Sequence, residues 1–364
     1  MKLTVLSVAY PFAPVGPDAA GGAEQLLAQL DAALVRAGAR SIVVGCEGSR
    51  PAGILLPVPR ADGSLTKQRI EAGRARHARA IVEALKRWPV DLVHMHGVDF
   101  PTYLPPPGVP VLATLHLPIS FYAPDALHPL RPQVWLNCVS RSQHASCAVN
   151  PRLCRPIENG VPVELFAQRH AKRDFALVLA RICPEKGIHL AIAAAKAAGI
   201  PLLIAGEIFS YPDHRRYFAQ EIAPRLDRWR RFIGPVGLRR KRRLLAAARC
   251  LLVPSLVAET SSLVAREALA SGTPVIAFAR GALIDTVEPR RTGFVVRDEI
   301  EMADAIGRTG EIDGELCRRT ARMRFSAQAM IEQYFALYES IVKHREREAA
   351  SAPAHPGMAP VATG

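Results

Sequence analysis

An α/β chain of two doubly wound parallel sheets is the fold class that the sequence predicts, and three observations carry it. Short runs rich in Val, Leu and Ile alternate from end to end with longer stretches of helical periodicity. The short runs are apolar at successive positions, as strands covered by helices on both faces must be. Ten such runs exceed what one sheet of this kind usually needs, and 364 residues suit two domains at roughly 150 residues each.

In the first half, strands are expected at 2–9, 41–46, 91–96, 110–115 and 134–139, with helices at 23–37 and 66–87. In the second half, strands are expected at 176–180, 201–205, 231–234, 250–254 and 274–278, with helices at 188–198, 214–229, 238–249 and 262–270. Gly38 and Gly199 stand just past the ends of two of these helices, where a left-handed residue stops the chain from continuing. Asn159-Gly160-Val161-Pro162 and the charged stretch from Arg169 to Asp174 read as a linker. The expected division is therefore 1–165, 166–325, a long amphipathic helix over 326–347, and a Pro- and Ala-rich tail over 348–364 without order.

Composition limits the function classes. Hydrophobic residues make up 49% and charged residues 22%, the balance of a chain with a real core and not of a disordered one. No apolar run approaches the ~18 residues of a membrane span. The apolar start runs into Tyr10-Pro11 without a small-residue cleavage site, so it reads as a buried strand instead of a signal peptide. The seven cysteines are odd in number and never spaced Cys-x-x-Cys, which fits reduced thiols in a cytoplasmic protein. Lys and Arg number 47 against 33 Asp and Glu, a formal charge of +14. That excess suits nucleic acid, an anionic membrane face or phosphate-bearing small substrates.

Parallel sheets bind ligands at the carboxyl ends of their strands, so the loops there carry the chemistry. The first runs from Tyr10 to Gly21-Gly22-Ala23-Glu24 at a helix start, where glycines let a backbone approach a ligand and free N–H groups favour an anion. A merely flexible turn is the plainer reading. The second, Leu179 to Gly187, sets Arg181 and Lys186 on either side of Pro184, so two cations can reach one pyrophosphate; solvated charges are the alternative.

The third loop is the most specific. Glu259 lies in a strand-to-helix loop and Glu267 follows eight positions on, on the helix face that carries Leu263. A carboxylate there is desolvated and wants donors such as sugar hydroxyls, while the N–H groups of Ser262, Leu263 and Val264 can hold a phosphate between the two carboxylates. An Arg partner for Glu267 and a dipole-favoured Glu259 are the bland alternative. A fourth group, His94, His96 and His116, closes two strands. His94 and His96 share a strand face, and metal ligation, buried hydrogen bonding and, for His116, substrate contact all stay open. The basic runs Arg228 to Arg231 and Arg239 to Arg243 read as solvated faces or as attraction for phosphates or anionic lipid.

Taken in order, Gly21 to Glu24, Asp91 to His96, Asn159 to Val161, Arg181 to Gly187, Glu259 to Gly272 and Thr292 to Val296 resemble the GT-B glycosyltransferases of family 4. The resemblance covers nearly the whole chain except the tail. It implies a metal-independent transferase that retains anomeric configuration, takes a nucleotide-diphosphate sugar, most often UDP-linked, and needs no cofactor. Arg181 and Lys186 would then hold the diphosphate, Glu267 the ribose, and Glu259 the transferred sugar. Gly22 would lie against the diphosphate from the other domain, beside Gly21. His116 would touch the sugar or the acceptor, and the helix over 326–347 would cross back onto the first domain.

The acceptor, a glycan, lipid or small molecule, would meet loops 10–22, 48–66 and 117–132 of the first domain, in a cytoplasmic protein with weak peripheral contact at the inner membrane face left open. Where many members have Pro-Phe-Gly after the first Glu, this chain has Thr260-Ser261-Ser262, whose hydroxyls would replace backbone contacts to the sugar. A nucleotide-sugar epimerase or phosphorylase on the same fold is the alternative enzyme. A basic nucleic-acid binder is the alternative outside enzymes, and specific nucleic acid binding is not expected.

Overall fold

The computed structural model describes residues 3–19, 21–60 and 66–351, with side chains as far as Arg347. The first half comprises β1 (Thr4–Val8), α1 (Gly22–Arg36), β2 (Arg40–Cys46), β3 (Ile54–Val58), α2 (Lys67–Arg87), β4 (Leu92–Met95), β5 (Val111–Leu115), α3 (Pro124–Leu127), β6 (Val134–Cys138), α4 (Arg141–Ala145) and α5 (Val163–Phe166). The second comprises β7 (Arg173–Leu179), α6 (Ile188–Ala197), β8 (Leu202–Ala205), α7 (Pro212–Tyr217), β9 (Arg230–Phe232), α8 (Leu238–Ala247), β10 (Ala248–Val253), α9 (Leu263–Ala270), β11 (Val275–Phe278), α10 (Ala282–Thr286), β12 (Gly293–Val296), α11 (Glu299–Gly307), α12 (Gly314–Arg324) and α13 (Ala327–Ser351).

The strands form two six-stranded sheets, β3-β2-β1-β4-β5-β6 and β12-β11-β10-β7-β8-β9, and every pairing is parallel. Numbered from its own first strand, each sheet follows the order 3-2-1-4-5-6 of a doubly wound Rossmann sheet. The expected fold class is therefore what the chain builds, twice over.

Two strands and several helices escape the hydropathy pattern. β3 is an edge strand carrying Pro57, half exposed, so neither a continuous apolar run nor a clean alternation marks it. β12 spans four residues and begins on Gly293, too short to read. The helix expected over 214–229 stops at Arg225: α7 gives way to a wide turn over Phe218–Ile222 and a tight one over Ala223–Arg225, where Pro224 removes a donor. α12 was hidden by its charge, because only Cys317, Thr320 and Ala321 are buried on its inner stripe. The helix expected to end at 347 continues to Ser351, so the first residues of the expected disordered tail are helical, and 352–364 lie outside the described residues.

On one face of the first sheet, Ile81 and Ala84 of α2 pack with Phe100 and Tyr103. On the other face lie Leu26, Leu30 and Leu34 of α1 together with Met330, Ile331, Tyr334, Tyr338 and Ile341 of α13. The last helix in sequence thus completes the core of the first sheet. The second sheet is covered by α6 and α11 on one face and by α8, α9 and α12 on the other.

The chain passes between the halves twice, and the two passages lie side by side. Val161 N–H donates to the Phe325 carbonyl at 2.8 Å and Ala327 N–H to the Val161 carbonyl at 2.9 Å. Gly160 allows this approach, since a Cβ there would sit 2.5 Å from Ala327 Cα. Arg266 of α9 is fully buried behind the crossing: its guanidinium lies 4.6 Å from the Phe325 ring centre, donates to the Asn159 carbonyl, and stands 3.5 Å from the Glu158 carboxylate.

Candidate active site

In each sheet the strand order reverses once, between β1 and β4 and between β7 and β10, and a crevice opens outside the carboxyl ends there. The loops that leave β1, β7 and β10 are those the sequence singles out, and His96 follows β4. Topology alone therefore gathers the motifs.

In the second half, two loops are stitched together. Gly187 has φ 58°, and a Cβ on it would fall 2.2 Å from the Pro254 carbonyl oxygen, so a side chain at this position would force the loops apart. Leu256 N–H donates to the Glu185 carbonyl at 2.8 Å across the same seam. The seam brings Lys186 Nζ to 2.5 Å from Glu259 Oε1, and the Ser255 hydroxyl donates to that same oxygen. Ala282 N–H at the start of α10 fixes the Glu259 carbonyl at 2.7 Å. Arg181 takes a different direction. It is exposed and lines a cavity of about 730 Å³ with Glu185, Tyr211 and His214, which Lys186, Glu259 and Glu267 do not border. That cavity extends from the seam instead of containing it.

Ser262 caps α9 with φ 52° and ψ 71°, a left-handed conformation that costs a non-glycine residue roughly 1–2 kcal/mol. Ser262 stands where the family pattern has glycine, and it carries a backbone strain that glycine would not. Ser262→Gly is expected to raise unfolding free energy by about 1 kcal/mol. Urea denaturation checks this, and a loss of stability would mean that the side chain compensates for its backbone. Thr260 donates its hydroxyl to the His116 carbonyl of the first half at 2.9 Å, which leaves its oxygen lone pairs as acceptors. Ser261 Oγ is buried without a partner among the described residues.

Glu267, on the second turn of α9, is 4% exposed. Its Oε1 lies 2.7 Å from Lys241 Nζ of α8. Burial pushes the carboxyl up from the usual carboxylate range, and the Lys241 ammonium opposes the rise. Lys241 belongs to the Arg239 to Arg243 run, so that run is not wholly a solvated face. Arg239, Arg240 and Arg243 are exposed, whereas Lys241 is half-buried. Its position was legible after all: Leu238, Lys241 and Leu245 lie on one helical stripe.

From the first half, Gly21 precedes α1 and Gly22 begins it, and a Cβ on Gly22 would lie 3.3 Å from Leu263 Cδ1. The first turns of α1 and α9 therefore face each other across the crevice. Glu24, quoted in the motif but given no role by the sequence, folds its carboxylate over Gly21 and is buried. Burial raises its pKa, and Arg181 from the other half lowers it.

The histidines form a row in which His94 and His96 are buried and His116 is half-buried. His94 Nδ1 meets the Tyr338 hydroxyl at 2.8 Å and Nε2 the Thr114 hydroxyl at 2.7 Å, which occupies both nitrogens. His96 Nδ1 is 3.0 Å from His116 Nε2, and the two rings stack. Burial holds His94 and His96 well below the ordinary imidazole range and lowers His116 to about 3, so the row is neutral at physiological pH. Among the described residues, the cluster with metal-ligand spacing is instead Cys183, Glu185 and His214, whose ligand atoms lie within 4.8 Å of one another. Arg181 acts on all three electrostatically, which disfavours a cation there.

Two Rossmann sheets of one plan, with candidate phosphate-binding and carboxylate groups at the switch points, define a two-domain α/β protein of the GT-B class. Residues 20–165 match the model described as Glycosyltransferase Family 4, and residues 173–310 match Glycosyl transferases group 1. The chain belongs to this family of glycosyltransferases.

Among solved structures, it is similar to AviGT4, a glycosyltransferase of avilamycin A biosynthesis, at 26% identity and TM-score 0.70 over 94% of this chain and 98% of that one. It shares its fold with a sucrose-phosphate synthase from Thermosynechococcus elongatus (22% identity, TM-score 0.75, 96% and 100% covered). The same holds for HepE of Anabaena, solved with UDP-glucose (17% identity, TM-score 0.71, 93% and 100% covered). A curated D-inositol 3-phosphate glycosyltransferase from Nocardioides sp. is 44% identical over 85 residues, which span 23% of this chain and 18% of that relative's length.

Proposed function

We propose that this glycosyltransferase retains anomeric configuration and moves a sugar from a UDP-linked donor to an acceptor hydroxyl. The observation that carries the reading is the meeting of Lys186, Glu259 and the first turn of α9 opposite Gly22. The free N–H groups of that turn and the Lys186 ammonium suit a diphosphate, with Arg181 reaching it from the cavity side. Glu267 takes the ribose hydroxyls and Glu259 the sugar. The bond from the anomeric carbon to the diphosphate oxygen breaks, and the acceptor oxygen bonds to the same face of that carbon. The departing phosphate oxygen accepts the acceptor's proton, so no protein base is required, and neutral His116 acts as a hydrogen-bonding group beside the sugar.

Charge on the leaving group is met by cations and helix N–H groups, and the reaction needs no resident cofactor or metal. HepE, solved with UDP-glucose, supports the choice of nucleotide. The acceptor, a glycan, lipid or small molecule, enters from the first half. We place the reaction in the cytoplasm; among the described residues no helix is long and apolar enough to cross a membrane.

A panel of nucleotide sugars, followed by release of nucleoside diphosphate with and without acceptors, tests the reading. UDP release that rises with acceptor, together with a product of unchanged anomeric configuration, is expected. An epimerised nucleotide sugar without glycoside would overturn it. Glu267→Ala should raise the donor KM by about 10–100-fold, and an unchanged KM removes the ribose contact.

A further inference from the structure

We propose that Lys241 is a positioning residue for nucleotide recognition, holding the Glu267 carboxylate ionised and turned to accept the ribose hydroxyls. The inference rests on the assignment of Glu267 given above and adds to it a residue from the basic run of α8.

The geometry is specific. Lys241 Nζ is 2.7 Å from Glu267 Oε1, and the two side chains are 19% and 6% exposed, so the pair is sheltered from screening water. The ammonium also lies 5.5 Å from the Phe166 ring centre, a second contact that fixes its direction. Lys241 reaches inward because it shares the stripe of Leu245, which is fully buried, while its neighbours Arg240 and Arg243 turn outward. A carboxylate has about four lone-pair sites, and one ammonium uses one, which leaves capacity for two hydroxyls of a vicinal diol. Without a cation, a carboxyl this deeply buried takes up a proton instead of keeping its charge. A neutral carboxyl is a weaker acceptor, so the diol loses its charge-assisted bonds.

The consequence falls on ribose alone. Binding of UDP, GDP and ADP, each beside its 2′,3′-dideoxy counterpart, is measured by calorimetry on the full chain. The wild type should prefer the ribose form of its best nucleotide by about tenfold or more. Lys241→Met, which keeps the apolar stem, should weaken that ribose form by about tenfold and leave the 2′,3′-dideoxy form within about twofold; Lys241→Arg should restore most of the preference. A structural role would weaken both forms together. If Lys241→Met keeps the full preference while Glu267→Gln abolishes it, the Lys241 proposal falls and the Glu267 assignment stands. If neither the wild type nor any variant distinguishes ribose from 2′,3′-dideoxyribose, both fall. If Lys241→Met melts below the assay temperature, Lys241→Gln provides the same comparison.

Discussion

Lys186→Ala is expected to lower the turnover rate by about 10²–10³-fold, more than it raises the donor KM. The ammonium sits on the seam between two loops, 2.5 Å from Glu259; in the proposed reaction the leaving diphosphate beside it gains negative charge as its bond to the sugar lengthens. An interaction that strengthens as that charge grows acts on the transition state more than on the bound donor. The loss is compounded because Glu259, 12% exposed in its side chain, keeps the Ser255 hydroxyl but loses its cation. Initial rates of nucleoside diphosphate release at saturating donor provide the measurement. Lys186→Arg should recover part of the rate, since the charge returns with altered reach. A rate within threefold of the wild type would reduce Lys186 to a surface partner of Glu259 and remove the diphosphate assignment.

The largest effect on stability is expected from Arg266→Ala, at about 3–5 kcal/mol of unfolding free energy. Among the described residues Arg266 is the largest fully buried side chain, and burial lowers its pKa to about 10 against the pull of Glu158. Truncation opens a void behind Phe325 and strips the Asn159 carbonyl of its donor. Glu158 is less affected, because Arg141 still holds it at 3.1 Å. Arg266→Met, which keeps the stem against the ring, should lose less, about 1–3 kcal/mol, from the unpaired carbonyl alone. Urea unfolding followed by circular dichroism distinguishes the two. A change below about 1 kcal/mol for the alanine variant would show that the crossing holds without its clasp.

How far the sequence speaks depends on how local each feature is. Gly187, Lys186 and Glu259 were legible because a strand end, a turn and a helix start each announce themselves within a few residues. Their meeting was not, since Lys186 and Glu259 stand 73 positions apart and are brought together only by sheet order. Lys241 was misread because five consecutive cations look like one block, while the helix that carries them sorts them by direction. Thr260 points across to His116, and nothing in its neighbourhood marks the other half as its partner. The shared strand face of His94 and His96 was readable, but Tyr338, which occupies one nitrogen of His94, arrives from 244 residues away. β3 and α12 failed for opposite reasons, one too broken by Pro57 and the other too charged.

The return of α13 to the first sheet separates architecture from autonomy. Leu92, Leu112 and Trp135 belong to the first sheet, yet the wall they lean on is Met330, Tyr334 and Tyr338, which the ribosome makes only after the whole second sheet. During synthesis the early half waits with one side of its core open until the late half has been completed. A cut at the linker would therefore yield two fragments that are each Rossmann-like in plan, of which the first lacks part of its own interior.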